Sequence, residues 1–257
     1  MRPLAWALAL LATLALLLAA LVAIALVVAY PNLPSITSLT DYRPKLPLRV
    51  YSTDGVLLGE FGEERRSFVP IAQIPKVMKD AVLAIEDSRF YTHGGVDYLG
   101  MLRAGLAQFN DARSQGASTI TMQVARNFYL STEKTFTRKI YEVLLTWKIE
   151  SQLSKDQILE AYMNQIYLGQ RAHGFAAASE IYFGKPLKDV SVAEAAMLAG
   201  LPKAPSAYNP IVNPKRATVR QQHIIERMEG NGYITAEQAS AARAEKLHYR
   251  SQSEVAV

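Results

Sequence analysis

The residues from Gly116 to Asn127, GASTITMQVARN, crowd hydroxyls, an amide and a cation onto the first turns of one helix. With Thr119 at its start, Gln123 lies four residues on and Arg126 seven on, so the three share a face. Ser118 can cap the helix, and Gly116 lets the chain turn tightly before it. Free backbone N–H groups and the helix dipole favour an anion at such an end. The chemistry suggested is the grip of a phosphate. An N-capped surface helix with a polar stripe gives the same pattern, and periodicity alone does not separate the two.

Acid–base chemistry is suggested by AIEDSRFYTHGGVD. Glu86 follows an apolar helical run, near the end where the dipole disfavours a carboxylate. Burial would raise its pKa further, and such a carboxylate suits general acid–base work at neutral pH. An exposed Glu86-Asp87 pair ending a helix is the plain alternative. By itself His93 reads as structural, and Gly94-Gly95 as a turn. In Arg138-Lys139-x-x-Glu142, Arg138 and Glu142 stand four apart, as in a helix-surface ion pair, although the acid follows the base, the weaker order. The apolar run VLLTW after Glu142 predicts partial burial, and a second carboxylate with an arginine would suit control of a leaving phosphate. The helices SKDQILEAYMNQIYLG, with Lys155, Tyr162 and Asn164, and RATVRQQHIIERM, with Arg216 and Arg220, read as mostly structural. The sequence has no HExxH, P-loop or GxGxxG pattern.

These residues need elements to hold them. Residues 4–30 carry no charge, which exceeds the about 20 residues that span a bilayer. A cleavable signal has an apolar region of roughly 7–15 residues, so an uncleaved anchor is expected. Arg2 favours a cytoplasmic N-terminus, whereas Arg43, Lys45 and Arg49 oppose it. Residues 1–3 are then a cytoplasmic tail, and a proline-marked linker is expected over 31–47. In LRVYSTDGVLLGEF two strand-like runs flank Asp54-Gly55, a hairpin signal, and SFVPI suggests an edge strand. From Pro75, read as a first helical residue, the pattern is helical, with Val77, Met78, Ala81, Val82 and Ile85 in register. Ser154, Ser191 and Thr235 each precede a Gln or Glu by three residues, as capping boxes do. Asn213-Pro214 reads as another helix start, and Gly169, Gly184, Gly200 and Gly230 as C-caps. The apolar segment YLGMLRAGLAQF, residues 98–109, reads as a core helix or as a face dipping into the bilayer. The net charge of +5 suits an anionic surface or substrate or is ordinary surface charge, and the absence of cysteine fits an exported or a cytosolic protein alike. The reading is mainly α, with a small membrane-proximal β-hairpin.

Five ordered stretches carry a resemblance: ED-x-x-F-x-x-H-x-G from Glu86, GASTIT-x-Q-x-x-x-N from Gly116, RK-x-x-E from Arg138, K-x-x-IL-x-x-Y-x-N from Lys155, and R-x-x-x-I-x-x-RM from Arg220. They resemble the peptidoglycan glycosyltransferase domain, family 51, of class A penicillin-binding proteins and monofunctional transglycosylases. The segment LPKAPSAYNPIVNPKRA looks most like the bifunctional penicillin-binding protein 1A type. The resemblance implies a lysozyme-like α fold over 48–247, including the hairpin at 48–71, with 248–257 a tail or the start of a further region. It implies a single-pass protein of the bacterial cytoplasmic membrane with its catalytic domain on the outer, periplasmic face. Its substrates would be lipid II and the growing lipid-linked glycan chain, joined with inversion and loss of undecaprenyl pyrophosphate. Glu86 would be the general base, with Glu142 as second carboxylate, orienting the site or a divalent cation such as Mg or Mn. Ser118, Thr119, Gln123, Arg126, Asn127, Arg138, Lys139, Lys155, Tyr162, Asn164 and Arg220 would bind substrate or its pyrophosphate. Asp87, Phe90 and His93 would shape the cleft, and the 98–109 segment would be a membrane-facing jaw. Other cell wall synthesis proteins are expected partners; nucleic acid is not.

Met122 and Gln221 depart from the family pattern, which often has a glutamine and an arginine there. Ser131-x-x-Lys134 matches S-x-x-K, but no K-T-G follows, so no transpeptidase domain and no penicillin binding are expected of this chain. A hydrolase of finished glycan would also use two carboxylates, but it needs no cationic phosphate site beside a lipid-facing helix. A non-catalytic scaffold would predict the loss of a carboxylate, and both are present.

Overall fold

The computed structural model describes residues 2–36, 39, 48–55, 57–61, 65–102, 118–130 and 136–250. The expected jaw beyond residue 102, Gly116 and the Ser131–Lys134 pair lie outside them. Helix α1 is Arg2–Ala29, continued by a 3-10 turn over Tyr30–Asn32. Its stretch Ala9–Asn32 has mean hydropathy 3.0 and is mostly exposed, with Leu26 and Ala29 packed on the core, so length and composition permit a membrane span.

The hairpin forms as read. Strands β1 (Leu48–Tyr51) and β2 (Leu57–Phe61) pair antiparallel, and Gly55 takes φ +82° in the turn. The edge strand does not form at SFVPI. Instead β3 (Arg65–Arg66) pairs parallel with β4 (Ala172–His173). Asn164 explains what replaces it. Its side chain accepts from the Val69 N–H (2.8 Å) and donates to the Val69 carbonyl (2.9 Å), so one amide serves as the strand partner.

Helix α2 (Lys76–Glu86) has Pro75 as its N-cap, one position earlier than read. There follow α3 (Ile120–Tyr129), α4 (Phe136–Gln152), α5 (Lys155–Gln165), α6 (Phe175–Phe183), α7 (Val192–Ala199), α8 (Pro214–Gly230) and α9 (Ala236–Ala244). All three capping boxes close, at Ser154, Ser191 and Thr235. Gly184 caps α6 in the left-handed region. Gly200 caps α7 with right-handed torsions, and Gly230 is the last residue of α8. Gly169 caps nothing: α5 ends earlier, at Ile166, and Gly169 opens the turn into β4.

The core has α7 near its centre. Its residues from Ala193 to Ala199 are all buried, and their small side chains let α2 and α8 close on it from either side. Helix α3 packs on α4 and α5. The expected linker is partly core: Leu33, Ile36 and Leu39 are buried with the rest, while 40–47 lie outside the described residues.

Asn164→Ala strips two partners from Val69. It is expected to destabilise the domain by about 2 kcal/mol, read as a lowered thermal midpoint in detergent with the helical content unchanged. An unshifted midpoint would mean that this amide does not hold the hairpin arm.

Candidate active site

A cleft of about 920 Å³ opens where the end of α2, the start of α3, one face of α8 and the 202–208 loop meet. That is the size of a small-molecule site. Glu86, the last residue of α2, lies on its wall. Arg216, Arg220, His223 and Arg227 stand at helical spacing on the cleft face of α8; Arg126 comes from α3 and Lys203 from the loop. Against these cations, two carboxylates stand in the lining among the described residues, Glu86 and Glu226.

Glu86 is held from behind. Gln123 Nε2 donates to its Oε2 at 2.8 Å, and the buried Tyr162 hydroxyl lies 3.5 Å from Gln123 Oε1. A donor on the amide oxygen side leaves the NH₂ to face the carboxylate. Burial pushes the Glu86 carboxyl above the usual glutamate range. The Gln123 hydrogen bond and the charges of Arg220, Arg126 and Lys203 act in the opposite direction. Burial also pushes the Arg220 guanidinium down, against the pull of Glu86, and the Tyr162 hydroxyl well up.

The other candidates sort by place. Ser118, Gln123, Arg126 and Arg220 reach the cleft with Glu86. Thr119, rather than Ser118, caps α3 by accepting from Met122 N, and its hydroxyl donates to the Gly95 carbonyl. Thr119 therefore faces the interior. The helix end is already supplied with an anion: Asp87 Oδ2 accepts from Ile120 N at 3.1 Å. The anion site read at this N-terminus is thus filled by the protein itself, and the cations of the cleft lie beyond it.

Asp87 also accepts from His93 Nε2 (2.9 and 3.0 Å), while His93 Nδ1 accepts from Gly95 N (3.1 Å). The two contacts fix the proton on Nε2. Gly95 has φ +88°, and a Cβ there would sit 2.6 Å from Thr146 Cγ2. The turn read at Gly94-Gly95 is therefore also a close approach to α4. Phe90 is core, with Lys155 Nζ 4.5 Å over its ring and 2.8 Å from Glu150 Oε1. Asn127 is exposed.

Glu142 is 1% exposed and pairs with Lys139 Nζ at 2.6 Å, three residues before it, where sequence spacing suggested Arg138. Its carboxylate is neutralised, and among the described residues no group of three His, Asp or Glu could hold a metal ion. The described residues beside Glu142 do not by themselves make a site for a divalent cation. Lys203, Tyr208 and Arg227 were not singled out as site residues, although the first two lie in LPKAPSAYNPIVNPKRA and Arg227 lies in the motif that starts at Arg220. The helical spacing of Arg216, Arg220, His223 and Arg227 was the one sign of a shared face.

The chain belongs to the transglycosylase family, whose model matches residues 54–229. It is 60% identical over 221 residues to penicillin-binding protein 1A of Neisseria gonorrhoeae, covering 86% of this chain and 28% of that protein. It is 60% identical over 183 residues to a putative transglycosylase of Cupriavidus necator, covering 71% of this chain and 79% of that one. Among solved structures, penicillin-binding protein 1A of Haemophilus influenzae matches with 29% identity and a TM-score of 0.48 over 81% of this chain and 22% of its own. The chain thus spans 28% of the length of the Neisseria relative.

Because the folded state holds the Glu86 proton more tightly than the unfolded chain does, stability falls as pH rises from the ordinary value through the raised one. Glu86→Gln removes that penalty. Its melting temperature is expected to exceed the parent's at pH 8 and to meet it below pH 4.5, the ordinary glutamate value. Equal melting temperatures at pH 8 would contradict the burial of a charged Glu86.

Proposed function

We propose that this chain is a peptidoglycan glycosyltransferase that polymerises lipid II at the outer face of the bacterial cytoplasmic membrane. One observation carries the reading: a half-buried carboxylate, fixed by an amide, shares its cleft with Arg126, Lys203, Arg216, Arg220 and Arg227. In the reaction, the Glu86 carboxylate takes the proton of the acceptor sugar's 4-hydroxyl. That oxygen bonds to the anomeric carbon of the growing chain from the face opposite the leaving group. The bond from the anomeric carbon to the phosphate oxygen breaks, and its electron pair leaves with the undecaprenyl pyrophosphate. Configuration inverts because attack and departure are on opposite faces. The cations hold the pyrophosphate and stabilise the charge it gains.

The remaining candidates act by position. Asp87 and His93 fix the start of α3 and so place Gln123. Tyr162 orients the Gln123 amide. Phe90, Thr119, Lys155 and Asn164 hold the surrounding elements, and the Glu142–Lys139 pair orders α4 beside Arg138. The apolar α1 anchors the chain in the membrane where a lipid-linked substrate resides, with the catalytic domain in the periplasm. A hydrolase of finished glycan would have no use for this concentration of cations.

Purified protein in detergent with labelled lipid II is expected to form glycan polymer. Glu86→Gln should reduce the rate by about 10²–10⁴-fold, the worth of a general base. Polymer formation undiminished in Glu86→Gln would remove Glu86 from the role of base. Hydrolysis of preformed glycan without any polymerisation would favour the hydrolase instead.

A further inference from the structure

Glu86 and the cations of the cleft influence one another, and this bears on what an anion bound there would do. Arg220, Arg126 and Lys203 are the charges that act on Glu86, and each comes from a different element packed around it. Among the described residues, Gln123 and the un-ionised Tyr162 stand behind the carboxylate. Farther along the wall are Arg216, His223, Glu226 and Arg227, with His223 Nδ1 3.5 Å from Glu226. Arg220 Nε is buried and has no hydrogen-bond partner among the described residues. A donor in that state is set to take an anionic oxygen.

Resting on the diphosphate reading of the cleft, we propose that the cations have two roles: in the empty cleft they favour the charged form of Glu86 against its burial, and when a diphosphate takes them up Glu86 becomes a stronger base. The physical reason is charge balance in one partly desolvated space. Each cation that turns to phosphate is neutralised for Glu86, and the phosphate adds negative charge beside it. Both effects favour a proton on the carboxylate. The base would then be at its strongest when the leaving group is seated, the moment at which a proton must be taken from the acceptor. In the empty cleft the neighbouring cations reduce the cost of a charge on Glu86. Linkage makes the effect reciprocal: protonating or neutralising Glu86 must tighten diphosphate binding by the same factor.

Inorganic pyrophosphate is the probe, titrated calorimetrically into the full chain in detergent, in buffers of differing ionisation enthalpy, between pH 5 and 8. Glu86→Gln is run beside the parent, so that the probe's own protons cancel between the two. At pH 8 Glu86→Gln should bind pyrophosphate roughly tenfold tighter, the equivalent of one pKa unit, and the gap should close toward pH 5. The parent should take up protons on binding in excess of the variant. Lys203→Gln, a change at an exposed loop residue, should weaken binding and reduce that excess. Equal affinities and equal proton counts, with pyrophosphate bound, would overturn the coupling while leaving the diphosphate site standing. No binding of pyrophosphate by the folded parent would overturn both. Neither result depends on polymer being made, so the glycosyltransferase reading is judged separately by its own assay.

Discussion

The 2.8 Å hydrogen bond from Gln123 to Glu86 is the contact on which the site depends. Glu86 ends α2, where helix dipole and burial both oppose its charge. An ionised carboxylate stays in such a place only if donors and cations are arranged around it beforehand. Gln123 is one such donor, and its own placement rests on the start of α3. That start is fixed by Asp87, the residue beside Glu86, through Ile120 N, and by Thr119 through the Gly95 carbonyl. The chain thus leaves α2, turns through His93 and Gly95, and secures the helix that carries the amide back to Glu86. The neighbouring carboxylates have opposite fates: Asp87 is consumed in holding structure, and Glu86 retains capacity facing the cleft.

The cationic wall depends on the packing beneath it. Helix α8 can present Arg216, Arg220, His223 and Arg227 on one face because its other face is fixed on α7 through Ile224, Ile225 and the Gln221 side chain. Gln221 Nε2 donates to the Ala193 carbonyl at 2.8 Å. Gln221, where the family pattern often has an arginine, is therefore a buried clamp between helices. The alanines of α7 keep α2 and α8 close enough for Arg220 to act on Glu86.

Much of this was legible in the sequence because it is local. Capping boxes are written within four residues, and all three closed. The hairpin turn is written in Asp54-Gly55. Glu86 could be singled out because an apolar helical register runs directly into it. What was not legible is the pairing of distant segments. Nothing near Asn164 says that its amide will replace a strand partner for Val69, 95 residues away. The face shared by Thr119, Gln123 and Arg126 was a correct helical statement. Which part of that face would be buried depended on Gly95, a turn 24 residues earlier. Lys203 lies in a loop, where periodicity says nothing, and Lys139, three residues before Glu142, pairs with it at 2.6 Å where the spacing had pointed to Arg138.

The segment after the anchor shows the same limit and carries a consequence for the site. Its prolines suggested a free linker, yet Leu33, Ile36 and Leu39 are buried in the core. Lys148 Nζ donates to the carbonyls of Leu33 (3.2 Å) and Pro34 (3.0 Å), just past the helical end of the anchor. Carbonyls at such an end lack helical partners, and a cation there is doubly suited, as donor and as countercharge to the dipole. Lys148 belongs to α4, α4 packs on α3, and α3 carries Gln123 and Arg126. An unbroken run of packed elements therefore joins the apolar helix to the cleft. On the proposed reading, in which the substrate has a polar head and a membrane-bound tail, the height of the cleft above the bilayer matters. On that reading the height would be set by buried side chains and two hydrogen bonds, where a flexible tether would leave it to diffusion.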